Sequence, residues 1–287
     1  IAQIEQLIAW AQESQTGTPN NLHNRILTMT ADDDTPFEGV FAASFQEAVQ
    51  QLLGHGVVAA PIEYPRTRQE FKLPPRHVNM RRVYAYLLKQ RCIDRAVLDF
   101  FTHHKLVYED AKYHNIVFVG VGADGVARHA HKRSTASQKN WRANQAGSDG
   151  KFSFHHIGTS AKIFAFESPI DMLSFITMHP NNWRQHSYVA LCGVSDEALM
   201  HQLAAHKHLR EVVLCLDNDE AGHMATSRIS QALQSYEVSV QTPRFKDWNE
   251  DCCALKHTEE LQKALPGAGK TRFSMMPPRV CLLSQFC

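Results

Sequence analysis

The sequence carries almost no surplus charge of either sign, with 30 Lys and Arg against 29 Asp and Glu. That balance excludes a global basic field, so any nucleic-acid contact must come from local patches. Long apolar runs are absent as well. None approaches the roughly 18 residues of a membrane span, and no signal peptide is visible, so a membrane partner is not expected. The seven cysteines contain no C-x-x-C. Cys192 and Cys215 fall in apolar strand candidates and read as buried small hydrophobes, and the adjacent Cys252 and Cys253 make no recognisable metal or redox motif. A reduced, cytoplasmic setting is expected. The seventeen histidines are scattered, and pairs such as His103-His104 and His155-His156 are adjacent rather than one helical turn apart. They predict surface or loop roles, not metal ligation. ATP binding at Gly269-Lys270-Thr271 is excluded because a P-loop needs glycine where Ala264 stands. Ile1 in place of methionine is expected of a fragment.

What is present centres on residues 212–222, VVLCLDNDEAG. The run 212–216 suits a strand buried on both faces, as parallel sheets require. Asp217 and Asp219 follow where it would end. Upstream, 163–166 is a second buried-strand candidate, and it too ends in a carboxylate, Glu167. Ligands in open α/β sheets sit at the carboxyl ends of strands, so the three acids can converge there. Clustered carboxylates repel unless a hard cation neutralises them, and an all-oxygen site suits Mg²⁺ or Mn²⁺. Asn218 falls on the opposite face if the extended geometry persists, which makes it a poor ligand. Gly222 is placed to let the following helix approach the sheet closely.

Glu167 after one strand and Asp217-x-Asp219 after another, fifty residues on and followed by Ala221-Gly222, resemble the TOPRIM domain of DnaG-type primases, topoisomerases and some nucleases. Around it, 163–166, 188–191, 212–216 and 238–241 alternate with helices, the pattern of a small doubly wound parallel sheet. Ser168 at N-cap, Pro169 at N1 and Asp171 at N3 open the helix after Glu167. After the last strand, Lys246-Asp247-Trp248-Asn249-Glu250 occupies the place of a short acidic element in primases. Asp247 is there either a further metal ligand or supporting acid, or part of a plain turn. Lys246 is a candidate phosphate contact, and Trp248 is expected to pack rather than stack on a base.

Ahead of this domain, helices are expected at 83–89 and 96–103, then a hairpin of 115–121 and 126–131 turning at 122–125. Lys132, Arg133, Lys139, Trp141 and Arg142 follow. The order resembles the subdomain preceding TOPRIM in DnaG-type primases, with Tyr86-Leu87-Leu88-Lys89-Gln90-Arg91-Cys92-Ile93 matching its helix turn and Cys92 in place of the usual glycine. It is similar also to an uncharacterised domain fused to TOPRIM in proteins of plasmids and integrative elements, through Asn115, Phe118, Arg133, Gly147, Ser148 and the segment 166–174.

The expected organisation is therefore a helical module over 1–72, an α+β primase-like subdomain over 73–160, the doubly wound TOPRIM domain over 161–250, and a partly disordered tail over 251–287. In the first module, Ile1, Ile4, Ile8 and Ala11 share a helical face, and Ser44 to Glu47 make a capping box before Phe45, Val49, Leu52 and Leu53. The resemblance implies nucleotidyl transfer on single-stranded DNA with nucleoside triphosphates, in mobile-element replication or transfer beside a helicase or relaxase. A metal-dependent nuclease and a non-catalytic nucleic-acid-binding module remain open. Glu167, Asp217 and Asp219 are the catalytic and metal residues in this reading. Glu167 is also a candidate general acid/base. Arg91, Lys132, Arg133, Lys139, Arg142 and Lys246 are the nucleic-acid contacts. No additional large domain is available for a topoisomerase gate, and the usual N-terminal zinc module of primases has no counterpart.

Overall fold

The computed structural model describes residues 69–136, 141–193, 195–264 and 280–282. The helical faces expected at 1–11 and 45–53, Lys139, and 265–279 lie outside them. Residues 67 onward form one compact unit.

The first half opens with helix α1 (Arg81–Tyr84), which widens into a π-helical stretch, Ala85–Gln90. Its first amides point at the buried carboxylate of Glu109, whose Oε2 accepts from Arg82 N at 3.1 Å and Val83 N at 3.4 Å. At Cys92 the chain turns through φ 58, the left-handed conformation that glycine adopts without a Cβ penalty. Asp94 then caps α2 (Arg95–His103) through Ala96 N and Val97 N, and Val97, Leu98 and Phe101 become its buried face. An antiparallel sheet follows in the order β1 (Val107–Glu109), β2 (Ile116–Val121), β3 (Ala127–Arg133), β4 (Arg142–Asn144). The expected hairpin is β2–β3.

The second half is a six-stranded sheet ordered β10-β9-β8-β6-β7-β5. Its strands are β5 (His155–His156), β6 (Lys162–Phe166), β7 (Ser187–Ala190), β8 (Glu211–Leu214), β9 (Glu237–Gln241) and β10 (Val280–Leu282). β9, β8, β6 and β7 run parallel and coincide with the four strand candidates. β5 and β10 add antiparallel edges. The crossovers are α3 (Pro169–Met178), α4 (Glu197–Ala205) and α5 (Glu220–Ala232). β6 lies between β7 and β8, so the chain leaves β6 toward one edge and returns on its other side. A crevice opens at such a switch point, at the carboxyl ends of β6 and β8.

Strand alternation sorts the core into two faces. On one face Ile163 and Ala165 of β6 join Val212 and Leu214 of β8, Leu199 and Leu203 of α4, and Ile229 of α5. Phe164 and Phe166 face α3 and Trp248 on the other. That second cluster runs on without a break into Val83, Leu87, Val97, Leu98, Phe101, Ile116 and Phe118 of the first half. The apolar core therefore does not divide near residue 160.

The C-terminal part differs from expectation. Helix α6 spans Trp248–Ala264, so the start of the stretch read as tail is helical, and β10 pairs with β9 beyond it. Its polar surface gives little periodicity to read. Its anchor is Trp248, buried edge-to-face on Phe175 with its indole Nε1 donating to Cys215 O at 2.9 Å. Among the described residues no helix is long and apolar enough to cross a membrane.

Candidate metal and nucleic-acid site

Glu167 leaves the end of β6 and Asp217 the end of β8, and the parallel pairing of those strands holds the two side by side. The backbone N–H of Asp217 donates to Glu167 Oε1 at 3.3 Å. Asp219 begins α5 as its N-cap, with Oδ1 accepting from Gly222 N at 3.0 Å, and Lys246 Nζ lies 3.7 Å from its Oδ2. Gly222 fits because any Cβ there would collide with the Asp217 carbonyl oxygen and sit 3.1 Å from Glu167 Oε1. Asn218 turns away, its amide donating to Pro243 O at 3.3 Å and its Oδ1 lying 3.0 Å from His223 Nε2.

Two further acids close the group. Asp247 caps α6 by accepting from Glu250 N at 2.8 Å. Asp171, one helical turn beyond Glu167, is buried. Its Oδ2 accepts from Ser168 Oγ at 2.6 Å and its Oδ1 from Asn249 N at 3.3 Å. In the sequence Asp171 stands out only as an N-terminal helix residue. The signal available was its position four residues after the first acid, in the first turn of α3.

The electrostatics reflect this crowding. Asp217 is pushed up to about 8, first by burial and then by Asp171, Glu167, Asp247 and Asp219. Glu167 is raised by burial, an effect opposed by the Asp217 N–H and by the positive charges of Arg142 and Lys246. Asp171 is raised too, by burial and then by Asp247. Asp217 Oδ1 is buried with no hydrogen-bond partner. A buried acceptor left open among five acids fits a hard divalent cation. The acids are not drawn tightly together. Among the described residues, only His77, Glu109 and His114 form a group of three whose donor atoms all lie within 4.8 Å of one another. Asp219 is engaged elsewhere, with Oδ1 in its helix cap and Oδ2 facing Lys246.

The basic candidates distribute unevenly. Arg133 and Arg142 are paired across β3 and β4, and Arg133 Nε is buried without a partner. Lys132 Nζ sits 5.5 Å over the half-exposed Trp141 ring. Asn144 Nδ2 donates to Cys192 O at 3.4 Å, tying β4 to the loop after β7, and the charge of Arg142 is felt at Glu167. This strand pair thus stands beside the acids. Arg91 is held by protein: Nε donates to Tyr86 Oη at 2.8 Å and Nη1 to Asn249 Oδ1 at 3.1 Å. Asn249 answers with Nδ2 bonds to Arg91 O at 2.7 Å and Ser174 Oγ at 2.9 Å. Arg91 therefore locks the helix turn onto α6. Nothing in the sequence singled out Asn249.

Residues 164–252 match a family model described as Toprim-like. The chain carries a Toprim-like domain. Residues 85–160 match a second family, described as a protein of unknown function (DUF3991). The chain is 24% identical over 255 residues to the uncharacterized protein pXO2-78 of Bacillus anthracis, a match covering 77% of this chain and 72% of that one. Solved structures similar to this chain include two from primases. The primase fragment of the bacteriophage T7 primase-helicase protein matches at 20% identity and a TM-score of 0.47, over 61% of this chain and 72% of that chain. The DnaG catalytic core matches at 13% identity and a TM-score of 0.44, over 69% of this chain and 75% of that chain. The Toprim-like match spans all five acids, and the second match takes in β3, β4 and their basic residues.

Proposed function

We propose that the chain is a metal-dependent Toprim protein that transfers nucleotides onto single-stranded DNA in primase-like fashion, in the replication or transfer of a mobile element. The observation that carries this reading is the buried, unpartnered Oδ1 of Asp217 among four other acids at the switch point of a parallel sheet. Glu167, Asp217, Asp219 and Asp247 are the residues that would hold Mg²⁺ or Mn²⁺, with Asp171 adding negative charge behind Asp217. When bound, the ion neutralises charge on the triphosphate and aligns its oxygens.

The chain's own groups do the rest. Glu167 Oε1 is occupied by the Asp217 N–H, so Oε2 is the atom available to take the proton of an attacking hydroxyl. Arg142 and Arg133, paired on one face of β3–β4, and Lys246 contact phosphates of the template or the incoming nucleotide, while Lys132 points to the other face of the strand. Trp141, under the Lys132 ammonium, offers a stacking face for a base. The strand pair β3–β4 beside the acids is the reason for preferring transfer to hydrolysis, since a strand-cutting site has less need of a second basic wall. A helicase or relaxase of the same element is the partner that would supply template.

The deciding experiment incubates the full chain with labelled single-stranded DNA, nucleoside triphosphates and Mg²⁺ or Mn²⁺, and scores extension and cleavage together. Extension is expected, lost in Glu167→Gln with metal binding largely intact, because Asp217, Asp219 and Asp247 remain as ligands. Cleavage without incorporation under either metal replaces this reading by the nuclease one. Neither activity, with strand binding intact, leaves a binding module.

A further inference from the structure

On the sheet of the first half, away from the acids of the Toprim-like domain, two histidines and a glutamate come together from three separate segments. Glu109 ends β1. His114 stands in the β1–β2 turn, and His77 in the loop before α1. His114 Nδ1 lies 2.7 Å and His77 Nδ1 3.9 Å from Glu109 Oε1, and the two imidazole rings meet edge-on at 4.7 Å. We propose that His77, Glu109 and His114 bind a transition-metal ion, zinc first, with water completing the coordination.

Four observations support a built site. Zinc bonds of about 2.0–2.1 Å in a tetrahedron place neighbouring donors about 3.3–3.4 Å apart, and the two distances at Glu109 Oε1 straddle that spacing. Small rotations of the two rings bring both into range. The backbone fixes the three segments: His77 N donates to Glu109 O at 2.8 Å, His114 N to Asp110 O at 3.2 Å, and Thr135 Oγ1 to His114 O at 3.0 Å. Glu109 is oriented from behind, because its Oε2 accepts from Arg82 and Val83 amides and so leaves Oε1 to the imidazoles. Such support of a ligand carboxylate is what metal sites use to set ligand direction. Finally, Glu109 is 1% exposed while His77 and His114 are 24% and 26% exposed. A buried carboxylate thus faces solvent only through two rings, which gives an ion both a charge to neutralise and a way in. Its ion-pair partners among the described residues are these two imidazoles.

The donor set chooses the metal. Two imidazole nitrogens and one carboxylate oxygen suit Zn²⁺, Co²⁺ or Ni²⁺, whereas Mg²⁺ prefers oxygen throughout. Binding costs local contacts: His77 Nδ1 leaves Asn79, whose O lies 3.0 Å and whose N–H lies 3.2 Å from it, and the 2.7 Å hydrogen bond between His114 Nδ1 and Glu109 Oε1 opens. The ion would bolt the loop before α1 to the β1–β2 turn, and the site is independent of the reaction proposed for the acids.

Co²⁺ titration of the full chain tests this, because four-coordinate Co²⁺ absorbs intensely in the visible and six-coordinate Co²⁺ only weakly. One equivalent is expected to give the intense spectrum, with zinc displacing it. His114→Ala and His77→Ala should each weaken binding by about tenfold or more. Asp217→Asn should leave the intense visible band and its midpoint unchanged, whatever Co²⁺ the oxygen-only acids take up in six-coordinate form, which separates this site from the Toprim acids. Circular dichroism checks that the variants fold. If they do not, an anomalous-difference map at the zinc edge on zinc-soaked wild-type crystals reads the same point from peak position. A weak six-coordinate spectrum, an unchanged titration in folded histidine variants, or no zinc peak beside Glu109 overturns the proposal.

Discussion

At Asp217 the chain keeps a side chain that works against its own stability. The carboxyl is buried, one oxygen has no partner, and four acids surround it. Replacing it by Asn keeps the shape and removes the cost of holding a carboxyl neutral there, since burial and the neighbouring acids push Asp217 up to about 8. In metal-free buffer Asp217→Asn is expected to raise stability by about 1–3 kcal/mol, as functional acids commonly do when neutralised. Thermal unfolding without divalent ions measures it. The same protein should lose the Mn²⁺ signal in calorimetry, as should the Asp217→Ala/Asp219→Ala pair. A variant that binds Mn²⁺ like wild type removes Asp217 from the ligand set. Gly222 gives the opposite case. Gly222→Ala drives a methyl into the Asp217 carbonyl, and a loss of about 1–3 kcal/mol is expected, because backbone cannot step aside as a side-chain tip can. Cys92 shows why a residue-level departure from the resemblance was readable. The usual glycine corresponds to a positive φ, and here cysteine bears that strain with its side chain buried.

Elements differ in how plainly the sequence announces them, and burial is the reason. β6, β7 and β8 are covered on both faces, so each is an apolar run after its first residue, and the acids after β6 and β8 can be placed from that pattern alone. β1 and β4 are three residues each and partly polar, and they are strands only because β2 and β3 offer them a ladder. α6 hides for a similar reason: Trp248 and Asn249 anchor it at one end, and much of the rest is polar. Asn249→Ala should cost about 2–4 kcal/mol, because it leaves the Arg91 carbonyl, the Arg91 guanidinium and Ser174 short of partners at once. A chemical denaturation curve with unchanged slope and lower midpoint is the expected record.

β3 carries a pH signature. His129 and His131 are both lowered to about 4, burial being the first cause in each. Their protonated forms are thus disfavoured in the folded state relative to an unfolded value near 6.5. The stability they permit is complete above about pH 6.5 and is lost as pH falls toward 4, the direction linkage requires when the unfolded chain binds more protons. His129 Nδ1 has no partner, so His129→Leu should remove part of that slope and move the acid midpoint down. An unfolding series across that pH range would show it, and an unaltered acid limb would assign the loss elsewhere.

At the scale of the whole molecule, charge is balanced overall yet sorted locally. Acids gather at the Toprim switch point and cations along β3–β4 beside it. Replacing Lys132, Arg133, Lys139 and Arg142 together is expected to weaken single-strand binding and to flatten its dependence on salt, since each lost phosphate contact removes a released counterion. A slope identical to wild type would mean that these side chains merely face solvent.

The apolar cluster that joins Leu87, Phe101 and Phe118 to Phe166, Phe175 and Trp248 has a consequence for heredity. The two family matches meet between residues 160 and 164, but that seam passes straight through a common interior. A gene broken there would yield two halves, each with an uncovered hydrophobic face. Recombination can therefore shuffle this pair among genomes as a single cassette, and a Toprim half could be borrowed alone only if the borrower brought its own lid of aromatic residues.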